Sequence, residues 1–205
     1  MTKVFDQDSA RKFLASQLTN HDRADLDLLD RFDRWGSDLI SALGQVYGLD
    51  TVLDPLLAVL LEHHSTRHPK LRDRDRARVL QPDWFQRAET IGYVCYLDLF
   101  ATNLKGLSKR IPYLQDLGIS YLHLMPILDP RPGENDGGYA VANYRALRSD
   151  LGTMDDLRTT ALKLHDAGIS LTLDLVLNHV AMEHEWAKKG KSGDQKYRDY
   201  FYVYP

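Results

Sequence analysis

Residues 153–177 read Thr153-Met-Asp-Asp-Leu-Arg-Thr-Thr-Ala-Leu-Lys-Leu-His-Asp-Ala-Gly168-Ile-Ser-Leu-Thr-Leu-Asp-Leu-Val-Leu177. The first part places Met154, Leu157, Leu162 and Leu164 on a helix from about Thr153 to Ala167, and Gly168 ends it. Ile169 to Leu177, a largely apolar run that also holds Ser170, Thr172 and Asp174, then predicts a strand. The same rhythm extends toward the N-terminus. Ile91 to Phe100 predicts a strand, Gly106 to Leu117 a helix, and Ile119 to Met125 a second strand. Pro126 opens a loop over Ile127 to Gly138 that is full of Pro, Gly, Asp and Asn. Strands alternating with helices predict parallel βαβ units, because a parallel connection must cross back over the sheet face. The fold class is α/β.

Before residue 88 the spacing is helical throughout. Leu28, Phe32, Trp35, Leu39, Leu43 and Val46 follow at steps of three or four and predict one buried face. Gly48 reads as a stop, and Asp54-Pro55 as the cap and first-turn proline of another helix through Leu56, Val59, Leu60 and His63. Ser65 to Arg78 alternates acids and bases and reads as a solvated helix face or connector. His63, His64 and His68 read as surface histidines, since adjacent residues cannot share a helix face. The expected organisation is a helical domain over 1–88, a sheet-bearing region over 89–178 and a further loop region over 179–205.

Composition removes several functional classes. The 205 residues are 43% hydrophobic, 27% charged and 10% aromatic, enough apolar side chain for a core. Twenty-six basic against twenty-nine acidic side chains give a net charge of −3, with no cationic field to collect nucleic-acid phosphates. The apolar runs fall short of the roughly 20 residues a membrane helix needs. Met1 to Asp8 lacks a signal-peptide core, so a cytoplasmic location is expected. The single cysteine, Cys95, excludes an internal disulfide.

Functional groups in parallel βα architectures gather at the C-terminal ends of strands. Three such ends are expected, at Asp98, before the loop holding Asp136-Gly-Gly-Tyr139, and at Asp174-Leu-Val-Leu-Asn178-His179. Asp174 stands in an apolar strand, where a carboxylate must be paired or hydrogen-bonded; a structural acid capping a loop is the competing reading. His179 can donate to a ligand oxygen or move a proton, or simply face solvent. The paired glycines before Tyr139 let the backbone turn tightly, and the ring offers a flat apolar face of the kind sugars stack on, unless it is only tucked beneath a surface turn. His179 and His184 are five residues apart, about 140° around a helix, which opposes a zinc site.

A closed eight-stranded βα barrel takes about 250 residues. Positions 90–205 supply 116 residues and three expected strands, so the chain reads as cut short. A doubly wound nucleotide fold is disfavoured, because Asp98 to Gly106 holds no G-x-G-x-x-G or Walker pattern.

Together, Asp174-Leu-Val-Leu-Asn178-His179, Asp136-Gly-Gly-Tyr139-Ala-Val141, Tyr93 to Phe100 and Leu122-His-Leu-Met-Pro126 resemble the α-amylase superfamily, glycoside hydrolase family 13, and within it the amylosucrases and sucrose hydrolases. The resemblance implies an N-terminal helical domain, the first three βα units of a (β/α)8 TIM barrel and the start of domain B. It implies that Tyr139 underlies the glucosyl ring, that His179 hydrogen-bonds its hydroxyls and that Asp136 pairs with an arginine outside this chain. Asp174 and Asn178 would be supporting residues. It implies retaining glucosyl transfer from sucrose to α-glucan or water, with no cofactor and no metal; a relative acting on another α-glucoside, or a non-catalytic binding protein, is the alternative. The nucleophile, the acid/base and the stabilising aspartate would follow later strands, so this chain is expected to be inactive and, with an open sheet edge, prone to self-association.

Overall fold

The computed structural model describes residues 6–20 and 22–202. Of the Met1 to Asp8 stretch, read above for its lack of a signal core, residues 1–5 lie outside them, as do residues 21 and 203–205. The chain divides into two compact units, Met1–Pro82 and Asp83–Pro205.

The first unit is helical: α1 (Gln7–Gln17), α2 (Arg23–Val46), α3 (Leu49–Thr66) and α4 (Pro69–Leu80). Asp6 and Asp22 cap α1 and α2, accepting from the amides of Ser9 and Asp25 and satisfying donors the first turn leaves open. Ala10, Leu14, Phe32, Ile40, Leu53 and Leu57 form the core. The stripe of α2 that is buried runs through Ala24, Leu28, Phe32, Gly36 and Ile40. Trp35 and Leu39 remain 44% and 36% exposed, so the expected apolar face is rotated by about one position. Helical spacing allows both stripes; the buried one is the one that joins Phe32 and Ile40 to Ala10 and Leu14 of α1 and Leu53 and Leu57 of α3, and the Phe32 ring lies over Gly36, where a Cβ would come within 3.0 Å of it.

Three further expectations are corrected. Gly48 is the N-cap of α3 rather than a left-handed stop, and Pro55 lies inside α3, a full turn beyond where a first-turn proline would sit. His64 is not a surface residue: its ring is 11% exposed and its Nε2 lies 2.8 Å from Oδ1 of Asp25, itself 5% exposed, because the end of α3 returns to the start of α2. The charged stretch does form a solvated helix, α4, with no fully buried residue, but its charges are paired. Arg67 grips Asp75 through two nitrogens at 2.5 and 2.6 Å, and Arg76 bonds Asp27 and Asp73.

The second unit holds β1 (Gly92–Cys95), α5 (Leu97–Ala101), α6 (Leu104–Asp116), β2 (Tyr121–Leu124), β3 (Leu128–Pro130), β4 (Val141–Leu147), α7 (Met154–Asp166) and β5 (Ser170–Leu173), followed by α8 (Glu185–Lys191) and α9 (Gln195–Arg198). Strands β1, β2 and β5 form a parallel sheet in that order, with Tyr93, Leu122 and Leu171 in register and then Cys95, Leu124 and Leu173. The α/β reading with a parallel sheet holds. All these register-matched residues pack on the helix side, against Leu104, Leu107, Ile111 and Leu114 of α6 and Leu164 of α7. Each such leucine withdrawn from water contributes about 1.5–3 kcal/mol.

The expected strands were too long. Residues 97–101 form α5 because Phe100 N–H donates to the Tyr96 carbonyl and the chain reverses at Thr102, whose φ is +67°. Asp98 therefore lies on a helix rather than at a strand end. The third strand stops at Leu173 because its partner β2 runs into Pro126, which has no N–H for a further rung. Within the expected loop, β3 pairs antiparallel with β4. Helix α7 begins with a capping box in which Thr153 accepts from Asp156 N–H and Asp156 from Thr153 N–H. Thr153→Ala is expected to lower the stability of this unit by about 1 kcal/mol, read as a lower urea midpoint at unchanged slope.

Candidate functional site

Side chains alternate across a strand, so the residues between the helix-facing leucines share the other face of the sheet. Val94, His123 and Thr172 stand in register there, and Asp174 follows Thr172 on the same side just past the end of β5. His123 Nε2 lies 2.8 Å from Asp174 Oδ1, and the Tyr139 hydroxyl donates to Oδ2 at 2.8 Å. Both carboxylate oxygens are thereby engaged. Asp174 is 23% exposed and accepts from two sides, which is how a carboxylate in an apolar strand is accommodated. Donation to Asp174 is the main reason that the Tyr139 hydroxyl is pushed up to about 12, with burial adding to it.

The loop before Tyr139 is shaped by three successive residues with positive φ: Asp136 at +53°, Gly137 at +64° and Gly138 at +94°. A Cβ on Gly137 would lie 2.7 Å from the Tyr96 hydroxyl, and one on Gly138 would lie 3.2 Å from both Cβ and the carbonyl oxygen of Pro126. Only glycines let this turn settle onto the strand ends and swing Tyr139 toward Asp174. Asn135 fixes the turn by accepting from Gly138 N–H through its side chain at 2.9 Å.

The other expected site residues are arranged less tightly. Asp136 is exposed beside Tyr139, and Asn178 and His179 are exposed on the segment after β5. That segment is held by the Tyr144 hydroxyl, which donates to the carbonyls of Val176 and, at 3.2 Å, His179. The structure thus joins Tyr139 to Asp174, and among the described residues the side chains of Asp136, Asn178 and His179 make no hydrogen bond to either. Asp98 pairs with Arg148 at 2.6 Å, and Arg148 also bonds Asp150. Burial pushes the Asp98 carboxyl up, but Arg148 outweighs it and holds the group below its ordinary value.

His123 is the member of the cluster that the sequence reading missed. The signal was present in Tyr121-Leu-His-Leu124, where one polar residue alternates with leucines and so faces away from the helices. Cys95 lies on the helix side, and burial pushes its thiol up to about 11, far from a reactive thiolate. Among the described residues no three His, Cys, Asp or Glu side chains converge as a metal site would require, and no helix is long and apolar enough to cross a membrane.

In the helical unit a cleft of about 1100 Å³ opens among α2, α3 and α4. Its lining residues Arg67, Arg76, Asp27 and Asp75 are committed to one another, whereas Tyr139 and Asp174 lie where parallel strands end, the usual place for a site in such sheets. The candidate site is therefore the strand-end cluster.

Comparison with known proteins gives the family of the chain. The model of the alpha-amylase catalytic domain matches residues 78–205. The chain is 34% identical over 134 residues to the probable oligo-1,6-glucosidase 2 of Bacillus subtilis (strain 168), covering 62% of this chain and 23% of that protein. It is similar in structure to Bacillus licheniformis trehalose-6-phosphate hydrolase, with a TM-score of 0.52 and 30% identity over 58% of this chain and 22% of that one. It is likewise similar to a variant of the trehalulose synthase MutB in complex with the substrate sucrose, at TM-score 0.51 and 28% identity over 59% and 22% of the two chains. The chain spans between 17% and 26% of the length of the curated relatives it matches. With its parallel βα units, its strand-end cluster and a match over more than half its length, the chain belongs to the alpha-amylase family of glycoside hydrolases and transferases, glycoside hydrolase family 13.

Proposed function

We propose that this chain is the N-terminal part of a retaining α-glucosyl transferase or hydrolase of the amylosucrase type, taking its glucosyl group from sucrose and passing it to an α-glucan or to water. The observation that carries the reading is the 2.8 Å hydrogen bond from Tyr139 to Asp174, which stands a tyrosine ring on the strand ends behind a glycine turn. A ring so held offers a flat face for a pyranose, His179 and Asp136 supply hydrogen-bonding groups beside it, and Asn178 shapes the segment that bears His179. The three parallel strands are the first three of an eight-stranded barrel, residues 1–88 the helical domain before it and residues 179–205 the beginning of domain B. On this reading the exposed Leu175 and Leu177, 65% and 78% accessible, face the missing part of the barrel and promote self-association of the short chain.

The test is made on the longest open reading frame of the source gene that contains this chain. Sucrose, isomaltose and trehalose 6-phosphate are offered as donors, with fructose and glucose release followed separately. Sucrose is expected to be the preferred donor, and Tyr139→Ala is expected to lower kcat/KM about 100-fold by leaving the glucosyl ring unsupported. Cleavage of isomaltose or trehalose 6-phosphate with sucrose untouched would move the protein to the α-glucosidases its relatives represent.

A further inference from the structure

The cluster at the strand ends is a chain of three side chains drawn from three separate segments. His123 comes from β2, Asp174 from the residue after β5, and Tyr139 from the glycine turn between β3 and β4. Their hydrogen bonds span 51 and 35 residues of sequence. A carboxylate offers acceptors only, so the imidazole contributes Nε2–H and the phenol contributes its hydroxyl proton. The carboxyl torsion is broad and soft by itself, and a single donor leaves the plane free to turn. Two donors, one on each oxygen, fix it. Among the described residues the Tyr139 hydroxyl has one other hydrogen-bond partner, the weak acceptor Sδ of Met125 at 3.9 Å, too long to hold the ring alone.

We propose that His123 is a positioning residue of this site: by donating to one oxygen of Asp174 it presents the other to the Tyr139 hydroxyl, and so sets the tilt of the Tyr139 ring against which the pyranose of an α-glucoside stacks. The proposal rests on the reading of Tyr139 as the sugar platform. Strand geometry makes His123 suitable for the task. Leu122 and Leu124 are fully buried against the helices and fix the backbone of β2 on one side, so the imidazole on the opposite side starts from a rigid base. The His123 ring is 32% exposed, enough for its other nitrogen to be served by water while Nε2 stays on Asp174. His123 touches no reacting atom on this account; it acts through Asp174. The inference also separates the roles of the two carboxylates near the platform, since Asp174 is occupied on both oxygens while Asp136 is exposed.

The test uses the 205-residue chain labelled with 15N in histidine and 13C at the tyrosine Cζ, followed by nuclear magnetic resonance. Tyr139→Phe and His123→Phe assign the two resonances. In the unsubstituted chain the neutral His123 ring is expected to carry its proton on Nε2; a proton on Nδ1 alone overturns the proposal without any substitution. His123→Phe keeps the ring volume and removes the donor. It is expected to move the Tyr139 resonance to the position found in Asp174→Asn, whereas His123→Gln, whose amide can reach the same oxygen, keeps it near the original position. A Tyr139 resonance that stays put in His123→Phe overturns the proposal. Titration with methyl α-glucoside then separates this inference from the reading beneath it. Binding that perturbs Tyr139 and weakens about tenfold in His123→Phe supports both. No perturbation by the sugar, with the substitution series behaving as expected, removes the platform reading and leaves the hydrogen-bonded chain standing. Sugar binding that His123→Phe leaves unchanged, with an unmoved Tyr139, removes the role of His123 alone.

Discussion

Incubated with sucrose, the 205-residue chain is expected to release fructose no faster than buffer does. Retaining glycosyl transfer needs two carboxyl groups about 5 Å apart, one attacking the anomeric carbon and the other protonating the leaving oxygen. The acids near the strand ends are engaged elsewhere or stand in solvent. Asp174 has both oxygens occupied by His123 and Tyr139, Asp98 is bound to Arg148, and Asp136 stands exposed in the glycine turn. Enzymes accelerate their reactions by at least about 10⁶-fold, so the shortfall against any active family member is of that order or larger. A coupled assay for free fructose reads it directly. Measurable release that disappears in Asp174→Asn would make Asp174 a catalytic group and would overturn the supporting role assigned to it.

The second large effect is structural. Gly106→Ala is expected to destabilise the Asp83–Pro205 unit by about 3 kcal/mol or more, enough to unfold a marginal domain. Gly106 lies in the first turn of α6, where its N–H donates to the side chain of the cap Asn103 at 2.9 Å. A Cβ there would fall 1.9 Å from the carbonyl oxygen of Ala101. That oxygen cannot retreat freely, because Asn103 N–H already donates to it at 2.8 Å across the reversal at Thr102. Relief requires α5 and α6 to separate, which exposes Leu104 and Leu107, both fully buried. Urea unfolding followed by amide exchange in α6 measures the loss. Gly92→Ala is the control: its φ is not positive and its new methyl would meet only Tyr121 at 3.9 Å, so a change within about 0.5 kcal/mol is expected. Equal losses in the two variants would mean that the α5–α6 contact is slack.

The site was legible in the sequence to unequal degrees. Asp174 and Tyr139 could be singled out, one as a carboxylate in an apolar run and the other as an aromatic behind two glycines, since each departs from what its neighbours would predict. That they touch could not be read, because a 35-residue separation leaves no trace in local spacing. His123 was hidden for a related reason: one polar residue among leucines marks a strand's second face but says nothing of what it meets there. In the helical unit, α2 could be read as a helix from its period while its buried stripe was set one position aside, because the period says that a face is buried and the contacts with α1 and α3 decide which one.

The order and class of elements follow from local pattern: helices first, then strands alternating with helices, with a parallel sheet following from the crossovers. Those features rest on the side-chain period and on turn residues, which act over a few positions. Where the strands end depends on the assembled sheet, since Pro126 withdraws the partner that residues beyond Leu173 would need. Tertiary contacts likewise bury Asp25 against His64 and join His123, Asp174 and Tyr139 in one hydrogen-bonded chain. These depend on which segments meet across the fold, and a buried polar group finds its partner there or is not tolerated.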